Sequence, residues 1–258
     1  MSNEAHKNLI KEQFTKTAGA YTQWATVDAG AAKGDVSFFE PDAKDRVLDM
    51  ACGPGTLALK LAPRVARVTG VDITEELLSI ARGKAKDQGL TNVEFAYGDV
   101  ESLQFPDASF DLVVCGSAMH HFPDPRKVFG EMLRVCRPGG RIGIIDIISP
   151  EEPERVELTH RIRALRDPSH AMAMKASEFL SMFQEAGLTG IRERKVLCPE
   201  HFSRWVRTAG IEVGEPRYGE LRALFESSIE GDLTGWNVQR AGDDLTYERS
   251  YYYICAYR

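Results

Sequence analysis

Apolar positions along this chain follow two periods. Short β-rich runs recur near residues 46–50, 67–71, 93–97, 110–115 and 141–148. Between them apolar residues fall at helical spacing, in helices that open at Thr56, Thr74 and Asp124-Pro125. Strands alternating with helices predict a doubly wound α/β fold with a largely parallel sheet. Ile142-Gly143-Ile144-Ile145 is apolar throughout, as a strand buried on both faces requires, and Pro138-Gly139-Gly140 stops the helix before it. An amphipathic helix over about 4–24 precedes the first strand and gathers Ile10, Phe14, Tyr21 and Trp24 on one side. After Asp146 the pattern changes to helices over 151–166 and 175–186, a strand over 189–197, a helical pair within 199–240, and a closing antiparallel strand over 251–257. In that last strand Tyr251, Tyr252 and Tyr253 alternate, which predicts one face in the core and one in solvent.

Candidate chemistry begins where the first strand ends. Val47-Leu48-Asp49-Met50-Ala51-Cys52-Gly53-Pro54-Gly55-Thr56 is a strand ending in an acid and turning through two glycines into a helix. Such a turn lets backbone approach a ligand and aims unpaired N–H groups at it. Gly53, Gly55 and Ala58 also satisfy G-x-G-x-x-A, the weak dinucleotide fingerprint. Asp49 argues against a pyrophosphate, which its carboxylate would repel, and for a ligand carrying an ammonium group. S-adenosylmethionine carries one and NAD does not. Asp72 ends the second β-run, 23 positions after Asp49, near the spacing of about 20 expected of an acid that grips ribose hydroxyls. Its bland reading is a helix cap, a role for which Thr74 is better suited. Asp99, in Tyr97-Gly98-Asp99-Val100 after the third run, is placed to accept a hydrogen bond from an adenine amino group.

Asp49 to Thr56, Asp72, Gly98-Asp99, Phe110 to Cys115 and Leu133 to Gly140, in that order, resemble a class I S-adenosylmethionine-dependent methyltransferase. Within that group the chain is most similar to the small-molecule branch that includes quinone-ring C-methyltransferases, and the resemblance covers roughly residues 10 to 148. It implies a Rossmann-like seven-stranded sheet with an antiparallel final strand. It also implies methionine-end contacts from Asp49, Gly53, Gly55 and Ser117, ribose and adenine contacts from Asp72 and Ile73, and adenine-edge contacts from Asp99 and Val100. The expected organisation is a single domain over 1–258. Its parts are a helical cover over 1–30, a cofactor core over 40–148, and helical lid insertions over 151–187 and 199–248. Phe14 and Tyr21 of the cover, with the 151–187 segment, are expected to close over the cofactor.

Methyl transfer from a sulfonium needs an acceptor held in line and dry, with a base only where a proton must leave. Candidate bases are His120 and His121, in the loop after the fourth strand, and His170, in Pro168-Ser169-His170 between the lid helices. No cysteine is expected to act. Cys198, Glu200 and His201, or Cys115 with His120, have metal-ligand types but make no complete set, so no metal is expected.

Composition narrows the partners. A net charge of −6 over 258 residues without a basic cluster gives no support for nucleic-acid binding and leaves a small-molecule acceptor. Five scattered cysteines, no apolar leader and no run long enough to span a bilayer predict a cytoplasmic protein, and a homo-oligomer is compatible with the sequence. The predicted activity is therefore C- or O-methylation of a small acceptor, a quinol- or phenol-like ring among the candidates. Other readings are an S-adenosylmethionine-binding protein with non-methylating chemistry and, less favoured, an NAD-dependent oxidoreductase.

Overall fold

One mixed sheet organises the chain. The computed structural model describes residues 2–32 and 35–258, the side chains of 21–32 excepted; Trp24 thus lies outside the described side chains. Strands β1 (Arg46–Met50), β2 (Arg67–Asp72), β3 (Val93–Tyr97), β4 (Phe110–Gly116) and β5 (Cys136–Ile147) are parallel. β8 (Asp244–Tyr257) runs antiparallel between β5 and β6 (Thr189–His201), giving the order β3-β2-β1-β4-β5-β8-β6. The seven-strand path is as expected. An eighth strand, β7 (Gln239–Ala241), adds to the outer part of β8.

Side-chain alternation sorts each buried strand onto two cores. Leu48, Met50, Val113, Cys115, Ile142 and Ile144 face one, under α4 (Pro125–Val135) and α6 (Ala176–Glu185), where Phe129 packs on Phe183. Val47, Leu112, Val114 and Ile145 face the other, under α2 (Thr56–Leu61) and α3 (Glu75–Asp87). Tyr252 belongs to the first core and Tyr251 and Tyr253 to the second, so all three are buried. The expected solvent face does not exist, because β8 is an interior strand covered on both sides.

The third core departs furthest from expectation. The 199–240 segment holds the expected pair of helices, α7 (Phe202–Arg207) and α8 (Pro216–Glu226), but β6 and β8 also continue past the sheet as a paired arm, from Leu197 opposite Ser250 to His201 opposite Thr246. Phe202, Trp205, Phe225, Trp236, Leu245 and Tyr247 pack there against Ile162 of α5 (Pro153–Arg166). Their rings meet at centroid separations of 5.0–5.8 Å for Phe202–Phe225, Trp205–Tyr247 and Phe225–Trp236, close enough for edge and tilted stacking.

At the other end of the chain α1 (Asn3–Ala32) lies across the carboxyl edge of the sheet. Lys7 Nζ pairs with Asp99 at 2.6 Å and Glu101 at 2.9 Å, and Asn3 Nδ2 donates to Glu101 at 2.6 Å. Burial lowers the affinity of the Lys7 amine for its proton, but the two carboxylates outweigh it and its pKa is raised. Among the described residues, no helix is long and apolar enough to cross a membrane.

Phe225 sits fully buried at the centre of the aromatic core. Phe225→Ala is expected to cost about 3–5 kcal/mol. Chemical denaturation followed by tryptophan fluorescence, which Trp205 and Trp236 report locally, should show a lowered midpoint; an unchanged midpoint would contradict this packing.

Candidate functional site

The strand order reverses at β1, between β2 and β4, and a crevice is expected outside the carboxyl ends there. A cavity of about 750 Å³ occupies it. The glycine turn forms its floor. Gly53, at φ +53°, donates its N–H to Asp72 Oδ2 at 2.7 Å, and Gly55, at φ +79°, leaves no room for a Cβ, which would meet Phe95 and Ala81 at 3.0–3.1 Å.

The predicted residues divide into those lining this cavity and those holding its wall. Gly53, Asp72, Ile73, Asp99, Val100, Ser117 and Phe14 line it, together with His121. Asp49 and Gly55 do not. The Asp49 side chain is buried behind the turn, where Oδ2 accepts the Ala58 N–H at 3.0 Å and so braces the start of α2. Gly55 serves packing behind the turn. Tyr21 lies outside the described side chains.

Asp72 combines both roles. Oδ2 holds Gly53 and Oδ1 accepts the Thr74 N–H at 2.9 Å, while Thr74 caps α3 without a side-chain cap bond. Thr74 is the cap residue as expected, and Asp72 holds its N–H from before the helix. Each carboxylate oxygen has a second lone pair, so both remain available to ribose hydroxyls. Burial pushes the Asp72 carboxyl up and the Gly53 and Thr74 N–H groups pull it down. Asp99 Oδ1 accepts the Glu101 N–H at 2.9 Å, and its Oδ2 is held by Lys7, which also lines the cavity. Ser117 sits at φ +53° with its N–H on the Ile145 carbonyl at 2.7 Å, and its buried Oγ has no partner. An unsatisfied hydroxyl, a gripping carboxylate and a glycine floor are what the polar ends of S-adenosylmethionine require, so the residues fit this group. Cys52 also lines the cavity, where burial and the charges of Asp72 and Asp49 push its thiol well up and keep it protonated.

The three histidines stand at a partition. His121 faces the cofactor cavity, edge-on to Phe14 at 5.1 Å, with Nδ1 3.1 Å from the Ser169 carbonyl. His120 and His170 line a second cavity of about 490 Å³ behind it. The His120 and His121 rings are 4.2 Å apart, and those of His120 and His170 are 5.4 Å apart. His120 Nδ1 donates to Asp146 Oδ1 at 2.6 Å, and its backbone N–H reaches Asp146 Oδ2 at 3.3 Å. Burial, reinforced by His120 and Arg163, drives the pKa of His170 far below its usual range, so its ring is neutral.

Among the described residues, Lys7, Ile10 and Phe14 of α1 line the cofactor cavity, while α5 and the 167–170 turn of the expected lid segment wall the second cavity. His170 is a neutral imidazole at neutral pH and lines the second cavity beside His120. Asp146 was missed, although its signal was available: an acid ending a wholly apolar strand, as Asp49 and Asp72 do. Lys7, Arg163 and Arg249 had no such signal, because only folding brings them to the cavities.

Comparison with known proteins follows the same outline. A family profile described as "Methyltransferase domain" matches residues 41–187. A Bacillus subtilis protein described as an uncharacterized methyltransferase, YcgJ, is 36% identical over 198 residues, 76% of this chain and 78% of that one. The crystal structure of YcgJ superposes with a TM-score of 0.80 at 30% identity, covering 88% of this chain and 97% of that one. A putative methyltransferase from Bacillus halodurans gives 0.81 at 26% identity, with 88% and 98% covered. A demethylmenaquinone methyltransferase from Listeria welshimeri is 39% identical over 110 residues, 42% of this chain and 47% of its own.

Asp72→Ala removes a buried acceptor of charge-assisted hydrogen bonds. It should weaken S-adenosylhomocysteine binding by about 1.5–3 kcal/mol, roughly tenfold to a hundredfold. Titration calorimetry giving an unchanged dissociation constant would remove Asp72 from the site.

Proposed function

The chain belongs to the S-adenosylmethionine-dependent methyltransferases, and from that premise we propose that it methylates a small molecule held in the second cavity, at carbon or oxygen, with His120 as the base. One observation carries this reading: His120, held by Asp146, lines the second cavity with its ring 4.2 Å from that of His121, which lines the cofactor cavity. When bound, the cofactor supplies an electrophilic methyl group on a sulfonium.

The chain's own residues do the rest. Asp72, Ser117 and the Gly53 turn seat the cofactor, and α1 keeps water away from it through Phe14 and Lys7. His120 takes the proton that a phenol, quinol or enol-like acceptor must lose. Asp146 is a positioning residue: by accepting from Nδ1–H it fixes the tautomer in which Nε2 is the basic atom. It also stabilises the imidazolium once the proton has arrived, as the carboxylate beside a catalytic histidine does. His121 positions the turn. Its carbonyl is 2.8 Å from His6 Nε2, and its ring bridges α1 and the 167–170 turn. A quinol-like ring is favoured among acceptors by the likeness to demethylmenaquinone methyltransferases over 110 residues.

The test is release of S-adenosylhomocysteine over a panel of quinols and phenols, followed by variants on the best acceptor. His120→Ala should lose about a hundredfold in kcat with cofactor affinity retained, and Asp146→Asn should lose less, through the orientation of the ring. Near-normal turnover in His120→Ala would leave positioning alone as the source of catalysis.

A further inference from the structure

The second cavity is built for more than a neutral ring. Arg163, Arg166 and Arg249 line it, against the single carboxylate of Asp167, which is occupied by the Ser169 N–H at 2.9 Å and the Ser169 hydroxyl at 2.6 Å. Each guanidinium lies on an aromatic face. Arg163 is 5.2 Å from the Trp236 ring, Arg166 4.7 Å from Trp205 and Arg249 5.2 Å from Tyr251. Stacking of this kind fixes the plane of the group and leaves its edge to donate.

Arg163 is the informative member. It is only 8% exposed, Nη2 donates to the Ile148 carbonyl at 2.8 Å, and among the described residues no carboxylate stands within ion-pair distance. A buried cation without a counter-charge costs several kcal/mol, and here burial, with Arg249 nearby, lowers its pKa to about 10. The site keeps that cost in the protein alone. Two further wall atoms share the condition: the Tyr247 hydroxyl and His170 Nε2 are buried without a hydrogen-bond partner, in residues 3% and 7% exposed. Native proteins satisfy such atoms unless something outside the chain does so. Three cationic forks, a phenol donor and an imidazole therefore converge on one polar space; Arg249 is paired with Glu200 at 3.5 Å, whereas Arg163 has no carboxylate within ion-pair distance among the described residues. The partner that Arg163 lacks is an anion.

We propose that the second cavity recognises a small molecule by an anionic group, a carboxylate or a phosphate, held by Arg163 and Arg249 with Tyr247, so that the methyl acceptor is an acid whose reactive atom lies toward His120. Trp205 and Trp236 offer flat walls for the rest of it. This rests on the methyl-transfer reading only for the word acceptor; anion recognition itself is independent of turnover. Bidentate guanidinium pairing suits both oxyanions. A carboxylate matches one fork, whereas a phosphate could engage two.

The experiment reads binding, not activity. Protein saturated with S-adenosylhomocysteine is titrated calorimetrically with benzoate, phenyl phosphate and the neutral benzyl alcohol. At least one anion should bind one saturable site tenfold or more tighter than the alcohol, and the tighter of the two identifies the oxyanion. Arg163→Met should weaken that anion at least tenfold without changing S-adenosylhomocysteine affinity. Because removal of a buried residue can disturb folding, Tyr247→Phe, which deletes one oxygen, and Arg249→Gln, at a partly exposed side chain, should each weaken the anion several-fold. Anions binding no better than benzyl alcohol, or binding equally to wild type and all three variants, would overturn the proposal. Failure of S-adenosylhomocysteine to bind would instead strike the methyl-transfer reading and leave the anion arm to be measured alone.

Discussion

Everything at the carboxyl edge of this sheet depends on burying carboxylates at the ends of apolar strands. Asp49, Asp72 and Asp146 end β1, the second strand and the apolar stretch of β5, and all three are essentially removed from water. A buried carboxylate costs several kcal/mol unless donors surround it, so each acid dictates the conformation of the loop that supplies them. Asp49 draws in the Ala58 N–H and so fixes where α2 begins. Asp72 draws in Gly53 and Thr74 and ties the glycine turn to the start of α3. Asp146 draws in the backbone and the ring of His120 and so places that histidine in the lining of the second cavity. The cofactor floor and the candidate base are thus consequences of one rule applied three times.

The same rule explains what could be read from the chain before folding. Strand, glycine turn and terminal acid are local, and so the parallel core from Arg46 to Ile147 and the cavity-lining residues Asp72, Asp99 and Ser117 were legible. Local reading stops short where a residue's partner lies on the far side of its own loop. Asp49 also holds the Ala58 N–H, and Asp72 also holds the N–H of the cap residue Thr74. The tyrosine triplet misled for a different reason. Its alternation is that of any strand, and only the placement of β8 between β5 and β6 decides that both faces are covered.

Beyond His120 and His170 the second cavity was not legible, because no segment contains it. Arg163 and Arg166 come from α5, Trp205 from α7, Tyr247 and Arg249 from the extended part of β8, and His120 from the loop after β4. In sequence each has an ordinary reading: a solvated helix charge, a core aromatic, a strand residue. What brings them together is the aromatic cluster of Phe202, Phe225 and Trp236, which docks the β6–β8 arm on α5 and so converts an insertion into a wall. The insertion does not roof the cofactor. It builds a separate compartment whose polarity is cationic and whose boundary with the cofactor is two adjacent histidines.

That boundary couples the two compartments through α1. The helix is seated by Lys7 on Asp99 and Glu101, by His6 against the His121 carbonyl, and by Phe14 on the His121 ring. The first contact closes the adenine end; the other two grip the short turn that also carries His120. Covering the cofactor and holding the base therefore use one set of contacts. A displaced α1 would open the first cavity to water and at the same time release His121, leaving Asp146 as the principal restraint on His120. The 167–170 turn completes the arrangement from the other side, since the Ser169 carbonyl meets His121 Nδ1 and the Ala171 and Met172 N–H groups both donate to the His120 carbonyl, at 3.0 and 3.2 Å. Both compartments hold the turn that carries His120, so its position depends on each of them being built.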